Sequence, residues 1–170
     1  MVYRIKIVII GEAGVGKTSL VKKFISGHFS QDYRASIGTN IFVKELLLKS
    51  GDKVSIQIWD IAGQEKWIKM RQMYYGGTHG ALIVGDITRI KTFEQLSEFW
   101  IPDLRKNCGD IPKIIVVNKV DLAPLISKND IEKLAQISKV KTTIHTSAKY
   151  GQNVEKAFHQ IAEAIIKSKA

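Results

Sequence analysis

Gly11-Glu12-Ala13-Gly14-Val15-Gly16-Lys17-Thr18 follows directly on the apolar run Ile5 to Ile10. The octet fits G-x-x-x-x-G-K-[ST], so these residues read as a strand feeding a phosphate-binding loop that opens a helix near Lys17. Glycines let backbone N–H groups curl around an anion, and the positive end of the helix dipole points at the same charge. In this pattern Lys17 reaches the β- and γ-phosphates and the Thr18 hydroxyl holds Mg²⁺. Taken alone, the octet leaves open which nucleotide is bound and to what end.

Outward from that loop, apolar segments of strand length alternate with amphipathic stretches of helix length. Strands are expected at Tyr3 to Ile10, Ile41 to Lys49, Lys53 to Trp59, Ala81 to Asp86, Lys113 to Asn118 and Thr143 to Thr146. Helices are expected at Lys17 to Ser26, Thr92 to Asn107, Lys128 to Ser138 and Asn153 to Lys167. The alternation predicts an α/β fold, a six-stranded, mostly parallel sheet with helices on both faces, which with the Gly11–Thr18 loop resembles the P-loop NTPase kind. Ser50-Gly51-Asp52 turns the second and third strands into a hairpin, which makes one edge strand antiparallel. Two long connections, His28 to Asn40 and Asp60 to about Gly80, show no clean period, and long irregular segments in a compact domain are usually functional. Both start near the strand ends where ligands bind in an open parallel sheet.

A chain of 170 residues, 45% hydrophobic and 25% charged, is expected to form one globular domain over residues 1–170. The N-terminal Val2-Tyr3-Arg4-Ile5-Lys6-Ile7 alternates apolar and basic residues and lacks the apolar core of a signal peptide. No apolar run is long enough to span a bilayer. These features lead us to expect a cytoplasmic protein. The single cysteine, Cys108, is expected to be an inert thiol near a helix end, and His28, His79, His145 and His159 show no metal-ligand spacing. The formal charge of +10 is spread along the chain, with Lys22-Lys23 and Arg105-Lys106 among its densest runs. A solvated basic surface is expected, with weak attraction to acidic partners or anionic lipid headgroups and no specific nucleic-acid binding.

Three further pieces choose the nucleotide. Asp60 ends a strand beside the phosphate loop, where a carboxylate holds Mg²⁺ through water, and Gly63 lets a backbone N–H approach a terminal phosphate. Asn118-Lys119-Val120-Asp121 closes a buried strand. The Asp121 carboxylate can accept from both N1–H and N2–H₂ of guanine, a donor pair that adenine lacks, while the stem of Lys119 covers one face of the base. In Thr146-Ser147-Ala148-Lys149 a small residue brings a backbone N–H to the guanine O6.

In this order, the four motifs resemble the Ras superfamily of small GTPases, with the closest likeness to the Rab branch, across about Arg4 to Lys167. The phrases Gln57-Ile58-Trp59-Asp60 and Tyr74-Tyr75-Gly76-Gly77-Thr78-His79-Gly80 are similar to Rab wording. The resemblance implies a molecular switch that binds GTP or GDP with Mg²⁺ and hydrolyses GTP slowly, its two irregular segments ordered by the γ-phosphate. It also implies nucleotide contacts from Glu12, Ala13, Gly14, Val15, Gly16, Lys17, Thr18 and Ser19 of the loop, from Phe29 beside the base, and from Ser36 and Gly63 at the γ-phosphate. On the base side it implies Asn118, Lys119, Asp121, Leu122, Ser147, Ala148 and Lys149. Gln64 matches the glutamine that orients the attacking water, and Lys17 shares the catalytic role. Asn118 ties the base loop to the phosphate loop. Thr18, Ser36 and Asp60 form the metal set. Effectors, exchange factors and GTPase-activating proteins are expected through residues 28–40 and 60–80, an activator supplying the arginine finger that the chain itself does not mark. The protein is expected to act as a monomer.

Departures from the pattern are local. The family spacing places the switch hydroxyl on Ser36, with Thr39 as second choice. Ala13 stands where relatives often have glycine or serine, which puts partner-stimulated hydrolysis in question. Ile61 replaces a usual threonine without a functional reading. Trp67, Ile68, Met70 and Met73 are either core or partner-facing, the resemblance favouring an exposed recognition surface for Trp67. The sequence ends Lys167-Ser168-Lys169-Ala170 without the cysteine on which Rab proteins carry prenyl groups, and Met1-Val2 excludes myristoylation. Peripheral contact with a membrane is therefore expected through charge or a partner unless a tail follows.

Overall fold

Alternate residues of the first strand point to opposite faces of the sheet, and this places both halves of the core. The computed structural model describes residues 2–26, 39–63 and 68–169, without the side chains of Ser26, Ile68 and Lys69. Phe29, Ser36, Gln64 and Trp67 lie outside the described residues. Strand β1 (Val2–Ile10) leads through the phosphate loop into α1 (Lys17–Ser26), and β2 (Thr39–Leu47) and β3 (Lys53–Ile61) form the expected hairpin. Then follow α2 (Ile68–Tyr74), β4 (Gly80–Asp86), α3 (Ile90–Gln95), a π-helical stretch at Leu96–Trp100 and α4 (Ile101–Cys108). The chain closes with β5 (Lys113–Asn118), α5 (Lys128–Ile137), β6 (Thr142–His145) and α6 (Val154–Lys169).

The six strands lie in the order β2-β3-β1-β4-β5-β6. All neighbours run parallel except β2 against β3, with Thr39 opposite Ile61 and Leu47 opposite Lys53. Leu48 N–H bonds to the Asp52 carbonyl across the turn at 2.9 Å. Ile5, Ile7 and Ile9 of β1 face α1 and α6, where Phe24 and Phe158 stack with ring centroids 4.1 Å apart. Val8 and Ile10 face the other way, into a cluster with Phe93, Trp100, Leu104 and Ile131. Ile61 is fully buried there, so its side chain serves the core. Among the described residues, no helix is long and apolar enough to cross a membrane.

Two elements depart from the sequence reading. The connection from Asp60 to Gly80 contains α2, whose buried side is occupied by Arg71, 1% exposed, so two turns of helix leave no apolar period to read. The helix expected over Thr92 to Asn107 is split by the π-helical stretch. Pro102 has no N–H to continue the ladder, and the Ile101 N–H bonds to Leu96, five residues back.

Candidate functional site

Carbonyls of the phosphate loop are each tied to a side chain. Five successive carbonyls, Gly11 to Val15, each accept a hydrogen bond from a side-chain N–H. Lys17 Nζ donates to Gly11 O and Glu12 O at 2.8 Å each. Arg89 Nη2 donates to Ala13 O at 3.0 Å, Lys119 Nζ to Gly14 O at 2.8 Å and Asn118 Nδ2 to Val15 O at 2.9 Å. Carbonyls engaged in this way are compatible with backbone N–H groups left for an anion. Gly16 sits at φ +101°, and a Cβ there would stand 2.3 Å from Asn118 Nδ2. Glycine is therefore required both for the turn and for the contact with the base loop.

Lys17 is 5% exposed, an ammonium drawn into the loop. Burial lowers its pKa to about 8, against the raising influence of Asp60 and Glu12. A buried cation under such strain is suited to an anionic ligand, and the loop fits a phosphate chain. Asp60 pairs with Ile9 across β1 and β3, which carries its carboxylate to the start of α1, where Thr18 Oγ1 donates to its Oδ2 at 2.5 Å. A hydroxyl and a carboxylate are hard oxygen donors, and their juxtaposition beside the loop fits Mg²⁺. Gly63 lies so close that a Cβ on it would stand 2.4 Å from Gly11 O. The segment after Asp60 therefore starts pressed against the loop.

The base end is built on three strand termini. Asn118, 1% exposed at the end of β5, reaches the loop with its amide N–H while its Oδ1 accepts from Thr146 Oγ1 at 3.0 Å and Ala148 N–H at 3.2 Å. One side chain thus joins the phosphate loop to the Thr146–Lys149 turn. Lys119 adopts φ +67°, and its Nζ also bonds the buried Asp86 carboxylate at 2.9 Å. Burial pushes the Asp86 carboxyl up, but hydrogen bonds from Thr88 and Lys119 outweigh this and hold it below its ordinary value. Ser147 Oγ donates to Asp121 Oδ1 at 2.8 Å, which leaves Asp121 oriented and exposed.

Glu12, Ala13, Gly14, Val15, Gly16, Lys17 and Thr18, with Asp60, Gly63, Asn118, Lys119, Asp121, Ser147 and Ala148, thus gather at one end of the sheet. The Glu12 carboxylate itself turns to Trp100 Nε1, 2.8 Å away. Ser19 is half-buried on α1, Leu122 is 48% exposed, and the Lys149 ammonium lies over its neighbour Tyr150, 5.4 Å from the ring centroid. Phe29, Ser36 and Gln64 fall outside the described residues. Thr39 Oγ1 donates to the Asp60 carbonyl at 3.1 Å, at the start of β2. Met73 is 76% exposed on α2. Cys108 ends α4 with its thiol against the Tyr75 carbonyl, and burial raises its pKa, which lowers its thiolate fraction. Among the described residues no group of three or more His, Cys, Asp or Glu is arranged for a metal ion.

Sequence reasoning missed Asp86, Arg89 and Trp100. Asp86 alone carried a signal, since it is an acid at the end of a buried strand, as Asp60 is. Arg89 and Trp100 meet the loop across 76 and 88 residues with no motif to announce them.

A sequence model of the Ras family matches residues 6–167. Rab-1 of Theileria parva is 35% identical over 96% of this chain and 74% of its own length. The human Rab-32 is 37% identical over 95% of the chain and 74% of its own length. Ypt/Rab-type GTPase ypt7 of Schizosaccharomyces pombe is 35% identical over 96% and 83%.

Proposed function

The chain belongs to the Ras family, in its Rab branch, and is a small GTPase switch that hydrolyses GTP; from that premise we propose which of its residues perform the work. Residues 1–170 act as one G domain and one monomeric switch. The loop Glu12 to Ser19 cradles the phosphates of GTP or GDP, Asp121 selects guanine, and Lys119, Leu122 and Lys149 flank the base with Ser147 and Ala148. Phe29 covers the base edge. Thr18, Ser36 and Asp60 hold Mg²⁺, which when bound neutralises charge on the phosphate oxygens.

The observation that carries this reading is the set of five loop carbonyls each bonded by a side-chain N–H, with the buried Lys17 ammonium among the donors. In hydrolysis the charge of the transferring phosphoryl group spreads over its oxygens, and preorganised N–H donors with Lys17 oppose it without reorganising. Gln64 orients the attacking water, and Gly63 presents its N–H to the terminal phosphate. Loss of that phosphate releases residues 28–40 and 60–80, the surfaces for effectors, exchange factors and GTPase-activating proteins. An activator's arginine would raise the rate by roughly 10³ to 10⁵. The resemblance and the basic charge support a role in membrane traffic or signalling, in the cytoplasm or peripherally at a membrane.

A single-turnover assay tests the reading. Wild type should convert bound GTP to GDP slowly and only with Mg²⁺, and Gln64→Leu should slow conversion at least tenfold with GTP affinity nearly intact. Equal rates for the two proteins overturn the role of Gln64. ATP competing as well as GTP overturns that of Asp121.

A further inference from the structure

Arg89 precedes α3 with an extended backbone, and its side chain bridges two fixed groups. Nε donates to Asp86 Oδ2 at 3.1 Å and Nη2 to Ala13 O at 3.0 Å. Asp86 is 1% exposed and also accepts from the Thr88 N–H, the Thr88 hydroxyl and Lys119. The guanidinium is therefore aimed by a buried carboxylate, although the side chain is itself 45% exposed. A Cβ built on Gly14 would stand 3.3 Å from Nη2, which puts the cation over the Ala13–Gly14 peptide. Ala13 O is also the one carbonyl of the five that Lys17, Lys119 and Asn118 leave to another donor.

A peptide unit is one conjugated dipole. A charged donor on its oxygen draws electron density from its N–H and makes that N–H a stronger donor to an anion. The same cation adds positive potential at the loop, and its charge acts on Lys17 in the lowering direction. A lysine could supply the charge but not the fork, because an ammonium is a point donor while a guanidinium reaches two acceptors in fixed geometry.

We propose that Arg89 is a positioning residue for the terminal phosphates: anchored on Asp86, it fixes and polarises the Ala13–Gly14 peptide so that the loop discriminates nucleotides by their phosphate chain. The inference rests on the nucleotide site proposed above. It concerns the phosphate end, and because Lys119 shares the Asp86 anchor, the GMP comparison reads whatever an Arg89 variant changes at the base end. Arg89 acts through the loop and is not a catalytic residue.

The test compares wild type, Arg89→Ala and Arg89→Lys in Mg²⁺, with GDP and GMP affinities measured by competition against a fluorescent guanine nucleotide. Unfolding of the nucleotide-free proteins is followed in parallel. Arg89→Ala should lose about tenfold in GDP affinity and less than about twofold in GMP affinity, and Arg89→Lys should recover only part of the GDP loss. Equal losses for GDP and GMP, full recovery by lysine, or no loss would overturn the proposal. If the alanine variant does not fold, the lysine variant decides alone: reduced GDP-over-GMP preference supports the role, and wild-type preference refutes it. A wild type that binds GDP no tighter than GMP would instead refute the phosphate site itself.

Discussion

Trp100 Nε1 donates to Glu12 Oε1 at 2.8 Å, joining the phosphate loop to the π-helical stretch between α3 and α4. The indole is 1% exposed, and the Arg71 guanidinium carbon lies 4.7 Å from its ring centroid. The nucleotide loop and the helix of the second irregular segment therefore share one aromatic neighbour. Trp100→Phe keeps an aromatic face for Arg71 but removes the donor. A hydrogen bond to a charged group contributes about 1.5–3 kcal/mol, and partial exposure of Glu12 places the expected loss near the lower end of that range. Urea unfolding of Trp100→Phe, Glu12→Ala and the double variant should show coupling of at least about 0.5 kcal/mol. Strictly additive losses would mean that the bond does not form in solution.

Arg71 lies between two rings, its guanidinium carbon 4.7 Å from both Phe99 and Trp100, with Nε 3.6 Å from Asp103 Oδ2. Its length and flat head fill the space between α2 and the π-helical stretch. Arg71→Ala removes that packing and should destabilise the fold by about 2–4 kcal/mol. Arg71→Met refills the slot without a buried charge, while Asp103, 18% exposed, retains water and the Tyr75 hydroxyl at 3.3 Å. It should recover most of the loss in urea unfolding. A methionine variant as unstable as the alanine variant would show that the charge, not the volume, holds α2 down.

The sheet was legible because most strands are apolar runs or apolar–polar alternations bounded by turn residues, and the site was legible because its loops follow strand ends with the residue types that phosphate and guanine demand. Glu12 to Thr18 and Asn118 to Asp121 are local phrases, read without knowing the fold. The ties among them are not local. Arg89 to Ala13 and Trp100 to Glu12 each exist because the chain after β4, from Arg89 through α3 to the π-helical stretch, passes beside the phosphate loop, a fact of topology rather than of any short window. α2 escaped for another reason: its buried residue is an arginine, and a hydrophobic period cannot reveal a polar side chain packed between rings. Pro102 was visible, but a proline two residues into α4 reads equally as a helix start or a break, and only the Ile101 N–H bonded to Leu96 distinguishes a π turn.

Thr39 already uses its hydroxyl on the Asp60 carbonyl at 3.1 Å and stands opposite Ile61 in the β2–β3 ladder. That bond engages the Thr39 hydroxyl in the strand ladder and supports the order in which Ser36 ranks first as the switch hydroxyl and Thr39 second. Ser36→Ala should therefore reduce Mg²⁺-dependent GTP affinity about tenfold or more relative to GDP, and Thr39→Ala should leave that ratio within about twofold. Nucleotide competition with and without a chelator measures both. A larger loss in the Thr39 variant would reverse the order.

Asp121 is oriented by Ser147 Oγ at 2.8 Å with its carboxylate exposed at the base end. Asp121→Asn exchanges a charged double acceptor for a group with one donor and one acceptor, so guanine loses a charge-assisted bond and meets a donor against its own N2–H₂. GDP affinity should fall by a factor of about 10²–10³. Xanthine carries a carbonyl in place of N2–H₂, so the variant should prefer xanthosine diphosphate to GDP in direct competition. Unchanged guanine preference would remove Asp121 from base recognition.

Lys17 provides a pH signature. In the nucleotide-free protein burial lowers its pKa to about 8, from an ordinary value of 10.5. Between those values the unfolded chain binds the proton and the folded chain does not, so the Lys17 contribution opposes folding below about pH 8 and stability rises with pH through this window. Phosphate binding works in the opposite direction, because adjacent anions restore the ammonium and binding takes up a proton. GDP affinity should accordingly decline as pH rises above about 8, by up to tenfold per unit, relative to a Lys17→Met control that carries any titration of the base. Calorimetry at pH 8 in buffers of different ionisation enthalpy should find uptake of about half a proton by wild type and none by the variant, as follows from half-titration at the pKa. Equal uptake by both proteins would show that Lys17 is already fully charged before the phosphates arrive.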